Sequence, residues 1–208
     1  MKIGWLGTGS MGGLIVERLL EAGRDVTGWN RTIARCEPLV EQGMRLADSP
    51  REVGETVDVI FSMLTDAAAV RAVTDGPDGL IAGLREGAIY ADMSTISPEA
   101  SRAVAERVAA AGATMLDVPV SGSPVTLRQG NLAMMVGGDE EALERIRPVL
   151  LDIGPSVTHI GPSGTAVQTK IAINLALVIH VIAFCEGWRS PRRAVWSARS
   201  SSTPCSRA

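Results

Sequence analysis

The chain has 208 residues, 46% of them hydrophobic, and a formal net charge of −3. That composition can bury a core and excludes a disordered chain. The charge leaves no basic footprint for nucleic acid, and 3% aromatics leave no stacking platform for bases. Cys36, Cys185 and Cys205 show neither paired nor metal-ligand spacing, so no metal is expected and a reducing cytoplasm is the expected compartment. Strand-like residues begin at Lys2, so no signal peptide is expected.

Residues 2–6 form a short apolar run suited to a buried strand. The run stops at Gly7-Thr8-Gly9-Ser10-Met11-Gly12, which fits G-x-G-x-x-G. Leu14, Ile15, Arg18, Leu19 and Ala22 then keep helical spacing, Gly23 stands at the cap, and residues 25–29 read as a second strand. Alone, such a pattern also suits an ordinary glycine turn. Between a strand and an amphipathic helix it reads as a dinucleotide-binding fingerprint. Gly7 allows the tight turn, Gly9 the approach of a pyrophosphate, and Gly12 close packing of helix on strand. The free N–H groups and positive end of the helix then face the phosphates.

The end of the second strand discriminates between the two nucleotides. An acidic residue there holds the ribose 2′-hydroxyl of NAD. This chain has Asn30-Arg31-Thr32 instead. No carboxylate repels a 2′-phosphate, Arg31 offers a planar fork and Thr32 a hydroxyl. NADP(H) is expected in preference to NAD(H), although Arg31 by itself also suits a solvated surface position.

Further along, residues 33–42 read as a helix and residues 57–61 as a buried strand. Met63 and Leu64 follow that strand at its C-terminal end, the end that faces the ligand crevice in a parallel sheet. Residues 67–73 read as a helix, and Pro77, Gly79 and Gly83 as a loop with a short turn. A strand over 88–91 runs into Asp92-Met93-Ser94-Thr95. A helix starts at Ser97-Pro98-Glu99 and ends at Gly112. Strands over 114–117 and 132–136 and a helix over 139–150 complete the alternation, which predicts an α/β fold with a Rossmann-type, doubly wound, mostly parallel sheet.

Gly161-Pro162-Ser163-Gly164 breaks the pattern, and residues 165–186 read as one long helix. Its apolar stretch over 171–185 is interrupted by Asn174 and His180 and falls short of the roughly 20 residues of a membrane span. A buried helix, and no membrane, is expected; because it is apolar on several sides, a contiguous apolar patch is expected to be exposed where no second domain covers it. The expected organisation is a nucleotide-binding domain over 1–162, an interdomain helix over 163–187 opening an incomplete all-helical domain, and an aberrant or disordered tail over 188–208.

Together these motifs resemble the β-hydroxyacid dehydrogenase family of 3-hydroxyisobutyrate dehydrogenase and tartronate semialdehyde reductase type, more distantly 6-phosphogluconate dehydrogenase, over residues 1 to about 187. The N-terminal fingerprint resembles the family's cofactor motif. Asp92-Met93-Ser94-Thr95 resembles its D-x-S-T segment, which borders nicotinamide and substrate; Met63, Leu64 and Thr95 are thereby candidate cofactor contacts. Asp117-Val118-Pro119-Val120-Ser121-Gly122-Ser123 resembles its substrate motif D-x-P-V-S-G-G. Residues 161–174 resemble its catalytic segment, with Lys170 at the catalytic lysine and Asn174 at the substrate-binding asparagine. Ser123 stands at a family glycine and is expected to narrow a substrate-carboxylate pocket. Ala166 and Ile173 replace a common glycine and a common asparagine beside Lys170. The resemblance implies hydride transfer between NADP(H) and a short 3-hydroxy acid or its semialdehyde.

The residues support that chemistry separately. Oxidising an alcohol by hydride transfer needs a proton acceptor at the hydroxyl. Lys170 lies in an otherwise apolar helix, where partial burial lowers an amine's pKa. Asn174, four residues on, shares its helical face, and Ser121-Gly122 offers a hydroxyl and backbone N–H groups for a carboxylate. Read without the family, Lys170 also suits a lysine whose head reaches solvent. His159 and His180 read as structural.

The family continues the long helix into an all-helical domain through which its subunits associate, so the resemblance implies a homo-oligomer for the full-length family but not for this chain. After Gly187 the sequence is WRSPRRAVWSARSSSTPCSRA, with five arginines and no acidic residue. It reads as a basic disordered tail. Read one base earlier with G/C-ending codons, it permits VALAEAGRVVREELVDALLA, a helix-forming string that would make the tail a frameshift. Two functions stay open: an oxidoreductase, and a truncated, catalytically weak remnant that binds NADP(H).

Overall fold

The computed structural model describes residues 1–189, in two units, Met1–Ile171 and the chain from Ala172 onward. The expectations for the tail, Cys205 included, lie outside the described residues, except that Trp188 and Arg189 continue the last helix.

The first unit begins with strand β1 (Ile3–Leu6), helix α1 (Gly12–Glu21) and strand β2 (Val26–Trp29). Ile15, Val16 and Leu19 bury one side of α1, and Gly23, at φ +75°, turns the chain in the left-handed region that glycine takes without steric cost. The single helix expected over 33–42 is a 3₁₀ turn (Ile33–Arg35) followed by α2 (Glu37–Glu41). Pro38 sits in the first turn of α2; a proline lacks the N–H that a continuing helix would need there.

β3 (Arg45–Leu46) and α3 (Pro50–Thr56) had no counterpart in the sequence reading. α3 did carry a start signal, Ser49-Pro50-Arg51-Glu52. The Glu52 N–H donates to Ser49 Oγ at 3.1 Å, and the Glu52 carboxylate accepts from the Asp48 N–H at 2.6 Å, a variant of the capping box.

Next come β4 (Val59–Ser62), α4 (Ala67–Thr74), α5 (Leu80–Gly83), β5 (Ile89–Asp92), α6 (Pro98–Ala110) and β6 (Thr114–Asp117). The unit closes with β7 (Val120–Ser121), α7 (Pro124–Arg128), β8 (Ala133–Gly137), α8 (Glu140–Ile153), β9 (Ser156–Gly161) and the start of α9 (Thr165–Arg189).

The nine strands of the described residues share one sheet, in the order β3-β2-β1-β4-β5-β6-β8-β7, with β9 on β8. From β3 across to β6 every pair is parallel; β8 runs antiparallel to β6 and β7 and parallel to β9. This is the Rossmann-type, mostly parallel sheet that the alternation predicts. Side chains alternate between its faces. Ile3, Trp5, Phe61 and Ile89 pack with Ile15 and Leu19 of α1 and Ile146 of α8. Ile60, Tyr90 and Met115 pack on the other side with Val53, Val70 and Val104 of α3, α4 and α6. Helices cover both faces, so the central strands read as continuous apolar runs.

In the second unit the expectation of a buried helix is corrected. From Ala172 the large apolar side chains of α9 lie exposed, with Leu175, Leu177 and Phe184 at 60%, 61% and 71%. Apolar residues occupy every side of this stretch, and a single helix contact covers one stripe of such a surface. By length and composition alone, Thr165–Trp188 is apolar enough to cross a membrane, with a mean hydropathy of 1.8. An apolar surface of this extent drives association. The 208-residue chain is expected to elute in sizing chromatography as an oligomer or aggregate, and the double change Leu175→Glu, Phe184→Glu to shift it toward monomer. A monodisperse monomer of the unaltered chain would be the contrary result.

Candidate functional site

The chain winds from β1 outward to β3, then returns to β4 on the other side of β1. At such a reversal the carboxyl ends of the two strands open a crevice. The loop leaving β1 runs into it. Gly7 has φ +101°, and a Cβ there would stand 2.5 Å from the Met63 carbonyl oxygen. A Cβ on Gly12 would lie 2.1 Å from the Gly7 carbonyl oxygen, which already accepts the Trp5 indole N–H at 2.9 Å. A Cβ on Gly9 would meet nothing within 4 Å, so the loop is open on that side. Turn, open approach and tight helix packing thus fall to three different glycines.

The start of α1 has no side-chain cap and no acidic residue in its first turn, whereas Ser49, Asp66, Ser97, Ser123 and Asp139 cap α3, α4, α6, α7 and α8. An uncapped positive helix end beside an open glycine fits the pyrophosphate of a dinucleotide. Ser10 is exposed and Met11 half-buried at this end. Thr8 is buried; its N–H donates to Asn30 Oδ1 at 3.1 Å, and Asn30 Nδ2 donates to the Thr32 carbonyl at 2.8 Å. Asn30 therefore staples the glycine loop to the end of β2.

A cleft of about 240 Å³ brings Gly7 and Gly9 together with Asn30, Arg31 and Thr32 beyond β2 and with Met63 and Leu64 beyond β4. Arg35 and Thr65 line it too, as do Ala69, Ala72 and Val73 of α4. The sequence reading missed these five. Ala69, Ala72 and Val73 do keep helical spacing, which shows that they share a face but not what that face meets.

Thr95 is exposed and is not among the residues lining the cleft. Beneath it the Ser94 hydroxyl donates to Asp92 Oδ1 at 2.5 Å and accepts from the Leu64 N–H at 3.0 Å. The same Asp92 oxygen accepts from Ser62 Oγ at 2.7 Å. Burial pushes the Asp92 carboxyl above the usual carboxylate range, against the pull of these hydrogen bonds. Asp92 and Ser94 brace β5 against β4 and hold Leu64 in place.

On the side read as substrate-binding, Gly122 has φ +147°, and a Cβ there would press on Leu132. Ser121 is half-buried at the end of β7. Ser123, expected to narrow a carboxylate pocket, is engaged in capping: its Oγ accepts from the Thr126 N–H at 3.3 Å, at the start of α7. Lys170 is half-buried on α9, and this burial holds its ammonium below the ordinary lysine value. Asn174, also half-buried, lies four residues further along α9, in the second unit. His159 and His180 each approach a backbone carbonyl, at 2.9 and 2.6 Å. Among the described residues no group of His, Cys, Asp or Glu could hold a metal.

A doubly wound sheet with this glycine cradle at its reversal point defines an NAD(P)-binding Rossmann domain. Residues 2–161 match the NAD binding domain of 6-phosphogluconate dehydrogenase, and the chain belongs to that family. It is 36% identical to the chloroplastic glyoxylate/succinic semialdehyde reductase 2 of Arabidopsis thaliana, over 90% of this chain and 52% of that protein. The structure of Mycobacterium tuberculosis 3-hydroxyisobutyrate dehydrogenase with L-serine superposes with a TM-score of 0.88 at 32% identity, covering 96% of this chain and 67% of that one. A complex of Psf3 with NADP+ and 2-OPP superposes with a TM-score of 0.83 at 31% identity, covering 90% and 68%. The chain spans about half the length of the hydroxyacid and semialdehyde relatives it matches.

Proposed function

We propose that the chain provides the cofactor domain and the catalytic lysine of an NADP(H)-dependent oxidoreductase acting on a short 3-hydroxy acid or its semialdehyde. The observation that carries the reading is the cleft beside the glycine cradle, whose lining includes Arg31, Thr32 and Arg35. The backbone of Gly9, Ser10, Met11 and Gly12 would hold the pyrophosphate, and the two arginines and Thr32 the 2′-phosphate. Met63, Leu64 and Thr95 would border the nicotinamide. When bound, the nucleotide supplies or accepts the hydride. Lys170 takes the proton of the substrate hydroxyl in oxidation and returns one to the carbonyl oxygen in reduction. Ser121 and Gly122 hold the carboxylate. The names of the Arabidopsis and mycobacterial relatives denote short acids bearing an aldehyde or a hydroxyl, and the Psf3 complex contains NADP+; all three support the reading. It takes a small soluble substrate and involves neither nucleic acid nor membrane.

The exposed apolar length of α9 beyond Ala172 favours a second reading, in which the chain as it stands binds NADP(H) with little turnover. A panel of 3-hydroxy acids assayed with NADP+, with NADPH binding measured alongside, separates the two. Turnover supports the first, binding without turnover the second, and no binding overturns both.

The cofactor preference has its own test. NADPH is expected to bind more tightly than NADH. Arg31→Ala is expected to cost NADPH about 1.5–3 kcal/mol, the worth of a lost charged hydrogen bond, and NADH little. Titration calorimetry checks this, and equal affinities in the unaltered chain would contradict it.

A further inference from the structure

Asp117 ends β6 with its side chain 1% exposed. Both carboxylate oxygens are taken by backbone donors far along the chain. Oδ1 accepts the Gly164 N–H at 2.7 Å, and Oδ2 accepts the Val167 N–H at 2.9 Å. These donors belong to the start of α9, where N–H groups have no partner within the helix. A negative charge there also meets the positive end of the helix. The surroundings admit this carboxylate because Gly137, its partner in the β6–β8 pair, has no side chain; a Cβ would stand 2.5 Å from Asp117 Oδ1. Ala166 and Val167 are buried next to the clamp, at 0% and 1% exposed. Lys170 follows Val167 by three residues, less than one turn of the same helix.

We infer that Asp117 is a positioning residue: it clamps the first turn of α9 with both oxygens and thereby sets the place of the Lys170 amine, without itself meeting substrate. Its bearing on turnover rests on the role proposed above for Lys170; the clamp itself does not. Gly164 and Val167 are pinned at two points on one rigid carboxylate. The first turn can then neither fray nor rotate about its axis, and the Lys170 stem enters the protein at one fixed depth.

The chain has two lysines, Lys2 and Lys170, so each reports separately. Competitive acetylation of the 208-residue chain across pH, read by mass spectrometry, gives the titration of each amine, with exposed Lys2 as internal reference. In the unaltered chain Lys170 is expected to titrate below the ordinary lysine range. In Asp117→Ala the freed turn admits water, and Lys170 is expected to move up toward the ordinary lysine range. Hydrogen exchange over residues 163–168 should speed by about tenfold or more, while β1 and β4 stay protected.

A carboxylate acting only as a distant charge would have the opposite effect, since its removal moves Lys170 down. A downward move, an unmoved titration, or unchanged exchange over 163–168 overturns the inference. If Asp117→Ala loses protection in β1 and β4, Asp117→Asn replaces it under the same criteria. Asn keeps one acceptor oxygen and presents an N–H₂ group to the second donor, so a smaller shift in the same direction is expected. NADPH affinity should not change in either variant. Failure of the unaltered chain to bind NADPH would overturn the proposed function and leave the clamp standing.

Discussion

Lys170→Ala, made in a chain extended to the length of its relatives, is expected to lower kcat by about two to four orders of magnitude, the usual worth of a general acid–base group. Burial is the cause that holds the Lys170 ammonium below its ordinary value. The direction follows from the chemistry. A depressed pKa raises the neutral fraction at working pH, so alcohol oxidation should quicken as pH rises through the Lys170 titration, and carbonyl reduction should quicken as pH falls through it. Lys170→Arg keeps the charge and much of the stem but cannot give up its proton near neutrality, so it should be nearly as slow as the alanine variant. NADPH affinity should hardly change in either. Steady-state kinetics in both directions across pH measures all of this. A variant with near-normal kcat would assign the proton transfer to another group.

Gly12→Ala and Gly9→Ala are expected to fail in opposite ways, although each adds one methyl group to the same loop. At Gly12 the methyl carbon would stand 2.1 Å from the Gly7 carbonyl oxygen and 3.1 Å from the Trp5 indole nitrogen. The nearer atom is backbone and the indole is buried at 0% exposure, so neither yields without moving α1 off the sheet. A loss of about 3 kcal/mol, the upper end for overpacking, is expected, with a matching fall in the thermal midpoint. At Gly9 the methyl carbon would meet nothing within 4 Å. Fold stability should hold, yet the methyl would occupy the side by which a pyrophosphate approaches. NADPH affinity should fall at least about tenfold, or ~1.4 kcal/mol. Thermal unfolding and NADPH titration of the two variants read both effects. Unimpaired NADPH binding by Gly9→Ala would move the phosphate site elsewhere.

What the amino-acid sequence determined by itself was whatever depends on neighbours a few residues apart. The G-x-G-x-x-G turn, the Gly23 and Gly112 stops, the Ser97-Pro98 start and the strand–helix alternation are local. Each follows from backbone sterics or from one apolar period, and together they gave the doubly wound sheet. Among the described residues five elements escaped: β3 and β7 have two residues each and α7 has five, too short to carry a period, while α3 with seven residues and β9 with six escaped as well.

Tertiary structure alone decided the pairings across long separations. Asp117 sits in a stretch that reads as a substrate motif, but its carboxylate is spent on N–H groups 47 and 50 residues later. Ser123 reads as a narrower pocket, but its hydroxyl caps α7. Arg35 and the α4 face join the cleft only because β2 and β4 flank β1 in one sheet. The apolar stretch after Ile171 reads as buried, and there the described structure leaves it in solvent. Hydrophobicity states what a helix would gain by burial; whether a second surface is present to provide that burial is a property of the folded arrangement.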